Sequence, residues 1–309
     1  MQRVVLFGEC MLELQGEAFG SMQQSFGGDT LNTAVYLARC ATGLQVGYAT
    51  ALGDDKLSAG MLARWQAEAL DVSLVQRLPG RMPGLYLIEV DARGERSFSY
   101  WRDNSAAKSY FEAEQTPLEA AADSLGALYL SGISLAILPA AGRERLFALM
   151  ARLQARGTPV IFDNNYRPRL WASREEALAS FDRAYSLASI ALVTADDEQA
   201  LRGLPQLDDA VAAAKALPCP EVVIKRGRNP TLVRTASGLQ EVATELVAKV
   251  VDTTAAGDSF AAGYLAVRLQ GGDVVAAATQ GNRLAGRVIQ HRGALIPMDV
   301  MTDLVLSNK

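Results

Sequence analysis

A chain of 309 residues, half of them apolar and 21% charged, can bury a sizeable core and is too apolar for a disordered tail. Its 30 Lys and Arg against 34 Asp and Glu leave a formal net charge of −4, which argues against nonspecific nucleic-acid binding. Three scattered cysteines, Cys10, Cys40 and Cys219, form no CxxC pair, and His291 is the one histidine. That count argues against a zinc centre and fits a reducing cytoplasm.

Met1 to Glu9 reads as a strand, Val4-Val5-Leu6-Phe7, running into Gly8 rather than as a signal peptide. No apolar stretch is long enough to suggest a membrane span. Residues 9–26 lack a helical stripe. Asp29 to Cys40 has helical spacing, with Leu31, Ala34, Val35 and Ala38 on one face. Leu85–Val90 and Arg96–Trp101 read as two strands joined by a turn, Asp91 to Glu95, that holds Gly94. With 9–26 they are expected to form a small antiparallel sheet beside the main body. Alternation sends Tyr100 and Trp101 to opposite faces, with Trp101 the one expected to pack.

Further on, Leu128-Tyr129-Leu130 precedes Ser131-Gly132 and a helix over about 139–156. Val160-Ile161-Phe162 ends at Asp163, Ile190 to Val193 ends at Thr194, and Val222-Val223-Ile224 ends at Lys225. Strands alternating with helices predict an α/β fold with a mostly parallel sheet. Ligands sit at the carboxyl ends of such strands, where Gly8, Asp163, Thr194 and Lys225 fall.

Two motifs carry chemistry. In Asp252-Thr253-Thr254-Ala255-Ala256-Gly257-Asp258-Ser259-Phe260, small residues lead into an apolar helical run from Phe260 to Leu269. Bare backbone N–H groups over 255–257 at a helix N-terminus favour an anion. Asp258 in that turn suits a general base for a hydroxyl, or a carboxylate favoured by the helix dipole. In Phe26-Gly27-Gly28-Asp29-Thr30-Leu31-Asn32, the glycines admit a ligand close to backbone. Asp29 and Asn32 can face one ligand, with helix capping by Asp29 as the alternative. Lys225 ends a buried strand, where an unpaired ammonium is costly and a phosphate or solvent would relieve it. His291 reads as a helix-end residue. No Gly-Lys dipeptide or Gly-x-Gly-x-x-Gly supports a P-loop or a dinucleotide fold. Gly257-Asp258-Ser259 fails the serine-hydrolase pattern because Ala261 follows.

Together and in this order, the two motifs resemble the ribokinase-like (PfkB) carbohydrate kinase family. Gly27, Gly28 and Asn32 match its N-terminal signature, and 252–260 match its C-terminal one. Three further stretches are similar to the subgroup acting on keto-deoxy sugar acids. They are 8–13, then Tyr100-Trp101-Arg102 with Ser105-Ala106-Ala107, and Asp163 to Pro168 with Leu170-Trp171. The resemblance implies a three-layer sandwich, a single domain over 1–309 with a lid formed by 9–26 and 84–104. It implies transfer from ATP, with Mg²⁺, to the C6 hydroxyl of 2-keto-3-deoxygluconate. Fructose or an epimeric keto-deoxy acid is the alternative substrate.

The same resemblance assigns Asp258 as base and Ala255, Ala256 and Gly257 as anion hole. It places sugar contacts at Gly28, Asp29, Asn32, Tyr86, Tyr100, Arg102 and Arg167, and ATP contacts at Lys225, Gly227, Gly257 and Asn282. Arg102 and Arg167 would pair with the substrate carboxylate, as a forked guanidinium does. The family's Asn-x-x-Glu is here Thr194-Ala195-Asp196-Asp197-Glu198, so Glu198 would reach Mg²⁺ only through water. A small-molecule sugar acid is the expected partner, with no nucleic acid, no membrane, and a homo-oligomer formed through the lid. A non-catalytic sugar-binding regulator is disfavoured because base and anion turn are both present.

Overall fold

The computed structural model describes residues 1–17, 19–90 and 96–306. In chain order, its first half runs β1 (Gln2–Phe7), β2 (Met11–Gly16), β3 (Met22–Gly27), α1 (Asp29–Cys40), β4 (Leu44–Leu52), α2 (Lys56–Ala67), β5 (Val75–Arg77), β6 (Leu85–Val90), β7 (Arg96–Trp101), α3 (Pro117–Ala120), β8 (Ala127–Ser131) and α4 (Gly132–Ala136). The second half runs α5 (Ala140–Ala155), β9 (Val160–Asp163), α6 (Arg174–Leu187), β10 (Ile190–Thr194), α7 (Ala195–Arg202), α8 (Leu207–Lys215), β11 (Glu221–Arg226), β12 (Asn229–Thr235), β13 (Gly238–Val242), α9 (Ala256–Arg268) and α10 (Val274–Val288).

Nine strands form one sheet in the order β13-β12-β11-β10-β9-β8-β1-β4-β5. It is parallel from β11 to β5, and β12 and β13 close one edge as antiparallel strands. Its central strands are apolar on both faces because helices cover both. Alternation sorts them strictly. Val5, Phe7, Leu128, Leu130, Val160, Phe162, Ala191 and Val193 pack toward α3 to α8. Val4, Leu6, Ala127, Tyr129, Ile161 and Leu192 pack toward α1, α2, α9 and α10. The result is three layers, and residues at the strand ends inherit the same parity. Asp163 and Lys225 share the face of Ile161 and Val223, so both point toward α1 and α9.

The second sheet has four strands in the order β3-β2-β6-β7. It is mixed rather than antiparallel, because β2 pairs parallel with β6. Both strands leave the body in the same direction, β2 directly after β1 and β6 after β5. The register puts Ser25, Glu13, Tyr86 and Tyr100 in one row on one face, and Phe26, Leu12, Leu85 and Trp101 on the other. Trp101 does not pack: it is 60% exposed and Tyr100 is 50% exposed, because both stand on the edge strand β7, while the row of Trp101 meets the body only at Phe26, Leu12 and Leu85. The turn expected at 91–95 lies outside the described residues. Among the described residues, no helix is long and apolar enough to cross a membrane.

Candidate active site

Two helix N-termini meet above the carboxyl ends of β1, β8, β9 and β11. α1 begins after Gly27-Gly28. A Cβ at Gly28 would stand 2.2 Å from the Glu9 carbonyl oxygen, and one at Gly27 would stand 2.3 Å from the Tyr86 hydroxyl. The glycines therefore let the root of the small sheet close onto the first turn of α1. α9 begins after Ala255, whose φ of 60° is left-handed, an uncommon conformation for alanine that bends the chain sharply into the helix. Asp252 stiffens the preceding loop, accepting from Thr254 N (3.0 Å) and Oγ1 (2.7 Å) and from Gly293 N (2.8 Å).

First-turn N–H groups of a helix have no intrahelical acceptor. Ala256 N–H instead donates to Thr253 O at 3.2 Å, so the donors that the start of α9 leaves over belong to Gly257 and Asp258. Of the expected anion turn 255–257, Ala256 N–H is thus engaged within the loop and Ala255 supplies the bend.

Asp258 joins the two helices. Asn32 Nδ2 donates to its Oδ2 at 2.9 Å, and Thr33 Oγ1 donates to its carbonyl at 3.3 Å. The other end of the Asn32 amide, Oδ1, is buried with no partner among the described residues, so an acceptor stands ready beside Asp258. Asp29 does not cap its helix. Gly28 occupies the cap position, and Asp29 Oδ2 accepts from Ser131 Oγ (2.5 Å) and Asn165 Nδ2 (2.7 Å). Burial, then the negative charge of Asp29 and of Asp163, push the Asp258 carboxyl up to about 8, against the opposing Asn32 hydrogen bond and Lys225 charge.

Lys225 has a carboxylate partner rather than the phosphate or solvent expected of it. Its Nζ donates to both oxygens of buried Asp163, at 3.0 and 2.9 Å, and Tyr129 donates to Asp163 Oδ2 at 3.2 Å. Burial raises Asp163 above the usual carboxylate range, with Lys225 opposing. The Lys225 ammonium stands 3.7 Å from where a Cβ on Gly257 would be, so a positive charge lies at the anion turn.

On the small sheet, Tyr86 donates to Glu13, and its ring lies 5.9 Å from that of Tyr100. Arg102 pairs with Glu9, both nearly enclosed, and Glu9 Oε1 is buried without a partner among the described residues. Arg167 is half-exposed at the end of β9, donating to Tyr166 O (2.8 Å) and Asp197 (3.3 Å).

Several residues sit otherwise than expected. Asn282 is an internal tie: its Oδ1 accepts from Thr231 Oγ1 at 2.9 Å and its Nδ2 donates to Ala243 O at 3.1 Å. Glu198 is fully buried between Tyr185 (2.8 Å) and Arg202 (2.5 Å), so it does not fit a magnesium contact even through water. Its neighbour Asp197 feels Arg167, Lys225 and Asp163 instead. Among the described residues, no group of three or more His, Cys, Asp or Glu could hold a metal ion. Gly227 turns β11 into β12 with φ 59°, and nothing lies within 4 Å of where its Cβ would be, leaving an open surface there. Ser259 is buried with its Oγ 2.7 Å from Ala255 O, a helical back-bond rather than a nucleophile. Asp163, Ser131 and Asn165 complete the cluster; strand parity marks Asp163, but no local pattern marks the other two.

Residues 1–301 match the pfkB family carbohydrate kinase model. The chain is 49% identical over 308 residues to the 2-dehydro-3-deoxygluconokinase of Escherichia coli (strain K12), covering 97% of this chain and 99% of that one. It is 30% identical to a fructokinase of Salmonella typhimurium, over 85% of this chain and 83% of that one. Among solved structures, it resembles the aminoimidazole riboside kinase of Salmonella enterica complexed with aminoimidazole riboside and an ATP analog. That likeness has a TM-score of 0.81 and 25% identity, and covers 98% of this chain and 99% of that one.

Proposed function

The chain belongs to the pfkB family of carbohydrate kinases, and from that membership we propose that it transfers the γ-phosphoryl group of ATP to the C6 hydroxyl of 2-keto-3-deoxygluconate. The observation that carries this is the Asn32–Asp258 hydrogen bond at 2.9 Å. It fixes a carboxylate beside the Gly257 and Asp258 N–H groups that open α9 and beside an amide oxygen, each without a partner among the described residues. A base, a hydroxyl acceptor and an anion site thus converge where two helix dipoles point.

Phosphoryl transfer depends on positioning and charge neutralisation. Asp258 takes the proton of the sugar hydroxyl as the oxygen attacks, a term worth about 10²–10⁴-fold. The Gly257 and Asp258 N–H groups and the Lys225 ammonium face the charge that develops on the transferred group. Gly227 gives the nucleotide an approach along the β11–β12 turn. Bound with the nucleotide, magnesium would supply neutralisation of phosphate charge, held by phosphate oxygens and water rather than by a protein cage.

The cluster of Asp29, Asp163 and Asp258 around one lysine repels a carboxylate and welcomes hydroxyls. The substrate carboxylate is assigned to the forked guanidinium groups of Arg102 and Arg167. Gly28, Asp29, Asn32, Tyr86 and Tyr100 are the further sugar contacts, and the small sheet acts as a lid that excludes water. Fructose lacks the carboxylate these arginines suit, and the likeness to a fructokinase is weaker. The exposed outer row of the lid would join two copies in the cytoplasm.

The test is ADP formation against 2-keto-3-deoxygluconate, its galactose-configured epimer, fructose, ribose and adenosine. A preference for the first of about 10²-fold or more in kcat/KM, about 3 kcal/mol, is expected. A preference for a neutral sugar would keep the kinase chemistry and overturn the sugar-acid reading.

A further inference from the structure

Lys225 and Asp163 stand at the ends of β11 and β9 with β10 between them, on the face toward α1 and α9. Both Asp163 oxygens hold the lysine Nζ, and the Tyr129 hydroxyl holds Oδ2. Both side chains are nearly enclosed. A buried ion pair is a weak source of stability, because desolvation offsets attraction. Its effect here is geometric. A lysine is a point charge on a flexible four-carbon stem. The two-oxygen grip removes the stem's freedom. Ammonium protons directed away from Asp163 remain, on a nitrogen held 3.7 Å from the Cβ position of Gly257.

Resting on the kinase reading above, we propose that Asp163 is a positioning residue: it holds Lys225 at the α9 anion turn, where the lysine meets the transferring phosphoryl group. Asp163 itself touches neither substrate. Its effect on the transferring group runs through Lys225, while its charge also bears on the titration of Asp258.

The titratable and charged groups whose fields reach Asp258 are Asp29 and Tyr36 from α1, Tyr129 from β8, Asp163 from β9 and Lys225 from β11. Removing a carboxylate or an ammonium from this set therefore moves the titration of the base in opposite directions, which gives a readout that a packing role would not move.

The experiment compares Asp163→Asn, Lys225→Met and the double variant with wild type. Measured are kcat and KM for ATP and sugar acid, the pH dependence of kcat/KM, and displacement of a fluorescent ATP analogue by ATP without sugar. Each single variant is expected to lose about 10²-fold in kcat, the scale of one electrostatic donor. The double variant is expected to lose no more than Lys225→Met alone. The acid limb is expected to move to lower pH in Asp163→Asn and to higher pH in Lys225→Met. Each single variant leaves one buried member of the pair without its partner and is at risk of misfolding. The double variant leaves no such charge, so its own kcat, expected about 10²-fold below wild type, decides the matter if a single variant misfolds, a tenfold greater loss overturning the proposal. A double variant tenfold or more below Lys225→Met would give Asp163 a role of its own and overturn the proposal, as would wild-type kcat in folded Asp163→Asn. Wild-type protein that phosphorylates no sugar would instead sink the kinase reading. The analogue displacement then carries the same cycle, and equal ATP affinity in wild type and Asp163→Asn overturns the positioning role.

Discussion

Asn32 and Asp258, 226 positions apart in sequence, share a hydrogen bond of 2.9 Å that ties the first turn of α1 to the first turn of α9. The bond fixes the carboxylate toward the space both helices open onto, yet leaves it among Asp29 and Asp163. A carboxyl raised to about 8 by burial and by those neighbours resists ionisation. It also keeps a proton acceptor poised near neutral pH, where general-base transfer is most efficient.

Replacing Asp258 by Asn should therefore separate activity from stability. Turnover should fall by about 10²–10⁴-fold with sugar binding retained, because an amide still accepts from Asn32. Stability should rise. The folded carboxyl binds its proton more tightly than the unfolded one, so wild type loses stability as pH climbs from the usual carboxylate range toward about 8. At pH 8, the Asp258→Asn protein should melt about 2 °C or more above wild type, and the gap should close toward pH 4. Calorimetry at the two pH values checks this, and equal melting temperatures at pH 8 would mean the charge is not strained.

Asp29 should tune that base without touching the proton it moves. It is the largest like-charge neighbour of Asp258, and its hydrogen bonds from Ser131 and Asn165 survive in Asp29→Asn, since an amide oxygen accepts them. The acid limb of kcat/KM in that variant should lie lower by about one pH unit, with activity at pH 6 less depressed than in wild type. An unmoved limb would show that Asp29 and Asp258 do not interact through charge.

Much of this site is legible along the chain because parallel sheets put ligands at strand ends. Asp163 and Lys225 announce themselves by ending apolar runs, and the glycine-rich helix starts mark the two N-termini. Register and partner choice are less legible. Lys225 finds a carboxylate two strands away, which no local pattern encodes. Glu198 and Asp197 are consecutive, but a helix turns each residue by about 100°, so one is sealed against Tyr185 and the other faces the site. Trp101 looks like core by composition. It is exposed because it stands on the edge strand of the small sheet, beyond the part of its row that meets the body, a tertiary fact.

The two arginines proposed for the substrate carboxylate call for different treatment. Arg102 pairs with enclosed Glu9, so removing it strands a buried charge and confounds function with folding. Arg167 is half-exposed, with a partner at 3.3 Å, and Arg167→Ala should fold normally. It should raise KM for the keto-deoxy acid by about 10-fold or more, the scale of a charged hydrogen bond, and change KM for fructose less than twofold. Equal effects on both sugars would remove Arg167 from carboxylate recognition.

Gly27 tests the junction between lid and body. An alanine there places its Cβ 2.3 Å from the Tyr86 hydroxyl but 3.5 Å from the ring carbon that bears it. The obstruction is therefore one oxygen at the end of a side chain. Gly27→Ala should push Tyr86 off its Glu13 partner, displace the lid strand β6 at its root and raise KM for the sugar by about 10-fold. Removing only that oxygen should restore the fit. The double variant Gly27→Ala with Tyr86→Phe should then show a KM at or below that of Tyr86→Phe alone. Steady-state kinetics on the four proteins checks the cycle, and strict additivity of the two changes would mean that the lid does not close on Gly27.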